Sequence, residues 1–214
     1  MVKALILIAD GTEEMEFTIT YDTLVRAGVQ CTSAFVPDSA TPPPVPSSAA
    51  LLDTTPESKT TPTLVECSRG VKILPDTTLD PLKAGPDIYD LLVIPGGLKG
   101  AQTIAGSSPV QHLIRAYHEY PERRLIGMIC AGSLAALQAS LKRQPLTSHP
   151  SVKAQLEDKF EYKEDSVVVS DRLVTSRGPG TAFPFALTLV ELLFGAEKRD
   201  EVRGPMVFPV GTPW

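Results

Sequence analysis

Leu125-Ile126-Gly127-Met128-Ile129-Cys130-Ala131-Gly132-Ser133 is an apolar run that ends in a lone cysteine and small residues. The helical pattern Leu134-Ala135-Ala136-Leu137 follows directly. This order predicts a buried strand that runs straight into a helix, with the thiol at the turn. A helix N-terminus carries partial positive charge, so we expect a lowered pKa and a nucleophilic role for Cys130. A buried, inert thiol is the alternative.

Two more apolar strands end in turns of the same kind. Residues 2–9 are followed by Asp10-Gly11-Thr12, and residues 89–94 by Pro95-Gly96-Gly97. Apolar strands that alternate with amphipathic helices are typical of an α/β fold with a mostly parallel sheet covered on both faces. In such folds ligands bind at the carboxyl ends of the strands, so these turns and Cys130 are expected to share one crevice.

The remaining elements are assigned from periodicity and from turn residues. Thr12 is expected to cap the first helix, which Gly28 ends, and Ser170-Asp171 is expected to turn a hairpin. The other predicted strands are residues 29–36, 64–67, 71–74, 166–170 and 172–175, and the other predicted helices are residues 108–120, 130–141 and 182–194.

Residues 37–63 interrupt this alternation. The stretch is rich in proline, serine and threonine and includes Pro42-Pro43-Pro44. Proline cannot propagate a helix or a central strand, so a long surface-loop insertion is expected. The whole chain, residues 1–214, is then predicted to be a single domain.

Composition excludes several classes of protein. A net charge of −5 without a basic run argues against nucleic-acid binding. Neither a signal peptide nor a membrane-spanning run is recognised, and three cysteines without zinc-type spacing favour a reducing, cytoplasmic compartment, with a nuclear fraction allowed. Phosphate-loop and dinucleotide fingerprints are missing, so no cofactor and no metal are expected.

A cysteine nucleophile also needs a proton carrier and donors for a developing oxyanion. His149 follows the Cys130 helix in a loop and is expected to fold back on the thiol, whereas His112 and His118 are assigned to a surface helix. Glu16 lies on the first helix, where most glutamates are solvated. The backbone N–H groups at Gly96-Gly97 and near Ala131 are candidate oxyanion donors.

Five motifs in order resemble the ThiJ/PfpI superfamily. The resemblance is greatest to its Parkinson-disease-protein branch, the DJ-one deglycase/glyoxalase proteins, and it covers nearly all of the chain outside residues 37–63. The motifs are Ala9-Asp10-Gly11-Thr12-Glu13-Glu14-Met15-Glu16, Ile94-Pro95-Gly96-Gly97, Ile129-Cys130-Ala131-Gly132, Thr147-Ser148-His149-Pro150 and Thr175-Ser176-Arg177-Gly178-Pro179-Gly180-Thr181.

The resemblance implies a flavodoxin-like sandwich that forms a homodimer, with Cys130 at a nucleophile elbow. It makes Glu16 a main catalytic position, Cys130 the reactive and oxidisable cysteine, and His149 its neighbour. It assigns further positions to the site: Gly96, Gly97 and Ala131 as turns whose amides surround the thiol, Asp22 as a contribution across the dimer interface, and Arg26 and Arg69 as the lining of an anion-friendly pocket. Ordinary surface charge is the alternative for the two arginines.

The chain also departs from the pattern of the family. Ser133 stands where proline is common in animal relatives, and Leu74 where some carry an extra oxidisable cysteine. Cys67 falls at another cysteine position, near the expected interface. Ala131 replaces the histidine that follows the cysteine in protease-like members, which disfavours a cysteine peptidase or amidotransferase.

The resemblance implies a glutathione-independent glyoxalase or protein deglycase. Such an enzyme converts methylglyoxal-type α-oxoaldehydes, or their early glycation adducts, to hydroxy acids. Cys130 would form a hemithioacetal and Glu16, with a raised pKa, would shuttle a proton. A cysteine-based oxidative-stress sensor or chaperone is the alternative. The expected partners are a small-molecule substrate and a second copy of the chain, with no nucleic acid and no membrane.

Overall fold

The computed structural model describes residues 1–38, 64–122 and 124–214, so the predicted insertion lies almost wholly outside the described residues. The strands of a seven-stranded sheet are β1 Lys3–Ile8, β2 Gln30–Phe35, β5 Thr77–Thr78, β6 Leu91–Ile94, β7 Leu125–Ile129, β10 Val167–Ser170 and β11 Leu173–Ser176. They are arranged in the order β10-β11-β7-β6-β1-β2-β5. Two small pairs complete the set: β3 Val65–Glu66 with β4 Lys72–Ile73, and β8 Pro145–Leu146 with β9 Glu161–Tyr162.

Helices cover this sheet in two groups. The helices are α1 Glu14–Arg26, α2 Leu98–Gly106, α3 Ser108–Glu119, α4 Leu134–Gln138, α5 Lys153–Leu156, α6 Ala182–Phe194 and α7 Ala196–Arg203. One group consists of α1, α6 and α7, and the other of α2, α3 and α4. The predicted α/β sandwich is confirmed.

The order of the long parallel strands places the site. β10 is antiparallel to β11, and the other neighbouring pairs of the sheet are parallel. The sequence of strands β2-β1-β6-β7-β11 is the flavodoxin-like order, which reverses between β1 and β6. The turns that follow β1 and β6 therefore flank the topological switch point, the usual ligand site of such folds.

Several local expectations are wrong. Glu13, not Thr12, caps α1: its carboxylate accepts from the Glu16 N–H at 2.8 Å, while the Thr12 hydroxyl accepts from the Ala9 N–H. The helix after the elbow is short, because a 3₁₀ turn over Cys130–Ser133 precedes α4 and Ser140 adopts a left-handed φ of 57°. The sequence does not predict α2, because its glycines interrupt the helical spacing of apolar residues. The β10–β11 hairpin at Ser170-Asp171 is confirmed.

Within the described parts of the chain, no helix is both long and apolar enough to cross a membrane.

Candidate active site

Cys130 occupies a strained turn between β7 and the 3₁₀ turn. Its φ is +62°, a left-handed value that a residue with a side chain adopts only when its surroundings enforce it. The residue is 8% exposed. The expected nucleophile elbow is confirmed, and the buried thiol lies at the carboxyl edge of the sheet.

Glu16 is brought to the same place by the first turn of α1. It is fully buried, and its Oε2 accepts a 2.7 Å hydrogen bond from the Gly96 N–H. A Cβ added at Gly96 would lie 2.5 Å from Cys130 Cβ, 2.9 Å from its Sγ and 2.6 Å from Glu16 Oε2. The thiol and the carboxyl therefore meet above a glycine that leaves no room for a side chain.

The two groups titrate differently from ordinary side chains. Burial raises the pKa of the Glu16 carboxyl to about 7, although the neighbouring Cys130 thiol and the Gly96 N–H offset part of this effect. Burial, and then the Glu16 charge, raise the pKa of the Cys130 thiol to about 12, against smaller lowering by the Ala131 and Gly97 N–H groups. The expected lowering of the Cys130 pKa is therefore wrong beside an ionised Glu16, because burial outweighs the turn amides. The raised Glu16 pKa was expected.

The two glycines after β6 have different functions. The Gly96 N–H is engaged by Glu16, so the structure does not support its assignment as an oxyanion donor. Gly97 has a φ of 79°, and a Cβ there would lie 2.1 Å from the Gly11 carbonyl oxygen. Only glycine fits this position. The N–H groups of Gly97 and Ala131 approach the thiol and remain the candidate donors.

His149 approaches Cys130 through its main chain. Its N–H donates to the Cys130 carbonyl at 3.3 Å. Its ring belongs to an exposed residue, and Nδ1 accepts from the Ser151 N–H at 3.2 Å and lies 2.8 Å from the Ser151 hydroxyl. The structure thus brings the His149 segment to the elbow, while Nδ1 is committed to a neighbour.

The hydrogen bonds and ion pair of the remaining predicted residues, Asp22, Arg26 and Arg69, are made with groups other than the thiol. Asp22 and Arg26 form a 2.6 Å ion pair on the exposed face of α1. Arg26 is ten residues after Glu16, roughly 15 Å along the helix. The Arg69 N–H donates to the Glu14 carboxylate at 2.8 Å, and its guanidinium to the Ser68 carbonyl at 3.2 Å.

Comparison with known proteins agrees with this geometry. The model of the DJ-1/PfpI family matches residues 2–192. The chain belongs to the DJ-1/PfpI family.

Individual relatives match almost end to end. Protein dj-1beta of Drosophila melanogaster is 39% identical over 202 residues, which cover 94% of each chain. The glutathione-independent glyoxalase DJ-1 of Schizosaccharomyces pombe is 32% identical over 98% of this chain and 100% of its own. A solved structure of Schizosaccharomyces pombe DJ-1 superposes with a TM-score of 0.80 at 31% identity, over 97% of this chain and 100% of that one.

Some groups around this DJ-1/PfpI site were missed by sequence reasoning. The buried Ser133 hydroxyl donates to the Thr147 carbonyl at 2.9 Å, and the Thr147 N–H donates to the Thr175 hydroxyl at 2.9 Å. These bonds fasten the segment that carries His149 to the elbow and to β11. The position of Ser133 directly after the Ile129-Cys130-Ala131-Gly132 motif was the available signal, but the sequence did not specify its partner. In the described ranges, no group of three or more His, Cys, Asp or Glu side chains is arranged to hold a metal ion.

Proposed function

We propose that this DJ-1/PfpI protein is a glutathione-independent glyoxalase that converts methylglyoxal-type α-oxoaldehydes to hydroxy acids. The carrying observation is the Glu16 carboxyl, buried beside the Cys130 thiol with a pKa of about 7. A carboxyl with that pKa can both accept and return a proton at neutral pH. The name of the Schizosaccharomyces pombe relative supports the same activity.

The reaction begins with addition of the thiol to the aldehyde. Ionised Glu16 accepts the Cys130 proton as the C–S bond forms, and it returns the proton to the former carbonyl oxygen to give a hemithioacetal. Proton transfer to Glu16 therefore supplies the thiolate that the resting thiol lacks.

Isomerisation and hydrolysis complete the cycle. Glu16 removes the proton from the carbon that bears sulfur, and the electrons pass to the adjacent carbonyl to give an enediol. The adjacent carbon is then protonated, and the hydroxyl on the carbon that bears sulfur loses its proton, which produces an α-hydroxy thioester. Water then cleaves the C–S bond, which releases the hydroxy acid and restores the thiol. The net change is addition of one water molecule, so no oxidant, reductant or glutathione is consumed.

We assign different roles to the two carboxyl oxygens of Glu16. Oε2 is held by the Gly96 N–H, while Oε1 is buried and has no hydrogen-bond partner among the described residues. We assign Oε1 to proton transfer. The N–H groups of Gly97 and Ala131 are assigned to the oxyanion that develops on the attacked carbonyl.

Early glycation adducts of proteins or nucleotides would use the same thiol chemistry, as a deglycase does. The burial of Cys130 and Glu16 favours the small free aldehydes, because both reacting carbons must contact Sγ and Oε1. The oxidative-stress sensor stays a prediction, although a resting thiol of raised pKa is poorly suited to it, since oxidation needs the thiolate.

We also propose a homodimer in a reducing, cytoplasmic compartment. Large apolar side chains stand exposed on α1 and around the β3–β4 pair: Met15, Val25, Leu64, Val71 and Leu74. Monomeric proteins rarely expose a contiguous apolar patch without using it, and we propose that these side chains form one. The three cysteines are free thiols, as a reducing compartment allows.

Kinetics on methylglyoxal tests the function. Cys130→Ser and Glu16→Ala should each lower kcat/KM at least about 100-fold, because nucleophile and proton carrier act as a unit. Cys31→Ser, at a half-buried thiol away from the elbow, is the matched control and should retain activity. Wild-type turnover in either site variant would contradict the mechanism.

A further inference from the structure

Glu13 caps α1, although glutamate is not among the residue types preferred at a helix N-cap. Serine, threonine, aspartate and asparagine are preferred there, because a side-chain oxygen of each reaches the first free N–H groups. Thr12 is of a preferred type, but its hydroxyl accepts from the Ala9 N–H instead. Glu13 is only 8% exposed, and its Oε2 accepts from the Glu16 N–H at 2.8 Å. Because burial of a carboxylate is costly, its use at this position calls for a second reason.

The backbone of Glu13 also holds the turn that contacts the Glu16 carboxyl. The Glu13 N–H donates to the Gly96 carbonyl at 3.0 Å, and the Gly96 N–H donates to Glu16 Oε2 at 2.7 Å. A Cβ added at Gly97 would lie 2.5 Å from the Glu13 nitrogen, so the turn and the cap are in close contact. Glu13 therefore fixes Glu16 directly at its N–H and, through Gly96, at its carboxyl.

The charge of Glu13 acts on Glu16 in addition to these bonds. Burial is the largest cause of the raised pKa of Glu16, and the Glu13 charge raises it further. The Cys130 thiol and the Gly96 N–H act in the opposite direction. Among the described residues, no lysine, arginine or histidine contributes to the pKa of Glu16. Glu13 is thus the charged side chain that the fold places beside the proposed proton carrier.

The neighbouring Glu14 shows that a second buried glutamate does not have this effect. Its carboxylate accepts from the Ser68 hydroxyl at 2.9 Å and from the Arg69 N–H at 2.8 Å. It fastens the turn between β3 and β4 to the start of α1, and it is not among the described groups that shift the pKa of Glu16. The two adjacent carboxylates therefore have different partners.

We propose that Glu13 is a positioning residue for the proton transfer, which fixes Glu16 at the start of α1 and increases its affinity for the proton through negative charge. A serine or threonine cap would supply the hydrogen bond without the charge. The charge makes Glu16 a stronger base toward the Cys130 thiol, which is itself a weak acid. This inference rests on the proposed function for the role of Glu16 as proton carrier.

Direct titration of Glu16 tests the proposal without any turnover. The carboxyl ¹³C signal of Glu16 is followed by NMR in labelled protein and identified by its loss in Glu16→Gln. Glu13→Gln keeps an acceptor oxygen for the cap but removes the charge. It should lower the pKa of Glu16 by about 0.5 to 2 pH units, as expected for two charges roughly 6 Å apart at effective dielectric constants between about 80 and 20.

Glu14→Gln is the matched control, because it removes the same charge from the adjacent buried residue. It should move the pKa of Glu16 less than half as far as Glu13→Gln does. Glu13→Asp and Glu13→Asn form a second matched pair, since both residues are strong N-caps and only the aspartate is charged. The pKa of Glu16 should be lower in Glu13→Asn than in Glu13→Asp. Thermal unfolding checks that each variant is folded, and this pair keeps the test decisive if Glu13→Gln is not.

Kinetics separates this proposal from the function on which it rests. In Glu13→Gln the acid limb of kcat/KM for methylglyoxal should move to lower pH by as much as the NMR titration does. The plateau should fall about 2- to 10-fold, because a weaker base accepts the Cys130 proton less readily. A lowered pKa of Glu16 in a chain without turnover would support the inference and contradict the glyoxalase function. An unchanged pKa in Glu13→Gln, equal values in Glu13→Asp and Glu13→Asn, or an equal shift in Glu14→Gln would overturn the inference.

Discussion

The Glu16 carboxyl sets the pH dependence expected of the proposed reaction. Its pKa is about 7, and it must be ionised to accept the Cys130 proton. kcat/KM should therefore rise with pH to a plateau above about pH 7, and fall about tenfold per unit on the acid side. A pH–rate profile on methylglyoxal checks this. An acid limb near the ordinary carboxyl pKa of 4.5 would contradict it.

Ionisation of the same carboxyl should lower the free energy of unfolding. The unfolded chain releases this proton near pH 4.5 and the folded chain near about 7, so the folded state holds the proton more tightly. Its stabilising contribution is complete below the unfolded pKa and is lost as pH rises through the folded pKa. Glu16→Gln, which stays neutral, should be more stable than wild type by about 3 kcal/mol near pH 8, because the shift of the pKa from 4.5 to about 7 is worth about 1.4 kcal/mol per unit, with little gain near pH 4.5. Thermal melts at both pH values test this, and equal melting temperatures at the higher pH would refute it.

Gly96 lies too close to Cys130 and Glu16 to accept a larger side chain. An added methyl group would overlap Cys130 Cβ and Glu16 Oε2, so Gly96→Ala must push the reacting pair apart. We expect at least about a tenfold loss in kcat/KM, together with about 1–3 kcal/mol of destabilisation from overpacking. Gly106→Ala, where nothing lies within 4 Å of the new methyl group, is the control and should be near neutral. Full activity of Gly96→Ala would contradict the prediction that the close approach of Cys130 and Glu16 at Gly96 is needed for catalysis.

At the scale of elements, the elbow and the His149 segment form one unit because Ser133 bonds the Thr147 carbonyl inside the protein. Ser133→Ala would leave that carbonyl without this donor, at a cost of about 1–3 kcal/mol. Ser133→Thr keeps the hydroxyl and should cost less. Urea unfolding measures both, with the exposed Ser108→Ala as a control expected within about 0.5 kcal/mol of wild type. Equal midpoints for Ser133→Ala and wild type would disprove the linkage.

The strands were predictable because their patterns are local. β1 and β7 are apolar runs that a buried parallel strand requires, and the elbow follows from the small residues after Cys130. The pairing of Glu16 with Cys130 was not local. It depends on a cap at Glu13 and on a close approach at Gly96, and only the resemblance to the family indicated it. The direction of the Cys130 pKa was missed for the same reason, since burial is a tertiary property.

At the scale of the whole molecule, α1 connects the site to the proposed dimer. Met15, Asp22 and Arg26 follow one stripe of the helix, because seven and eleven residues each complete nearly whole turns. Glu16 is buried at the start of the same helix. If two copies pair α1 antiparallel about a two-fold axis, Asp22 of the partner subunit approaches the end of α1 that carries Glu16. That arrangement would explain how Asp22 and Arg26, which are exposed and lie roughly 9 and 15 Å along the helix from Glu16, contribute to the site.

Met15→Glu tests this arrangement. A charge at the centre of an apolar interface of about 800 Å² per partner should convert the dimer to a monomer, since the carboxylate would be buried without a counter-ion. Leu82→Glu is the matched control, because Leu82 is 91% exposed on a 3₁₀ turn after β5, away from α1. Sedimentation velocity should give a dimer for wild type and Leu82→Glu and a monomer for Met15→Glu. The monomer should also lose glyoxalase activity if the partner completes the site, whereas a wild-type monomer, or a Met15→Glu dimer, would refute pairing through α1.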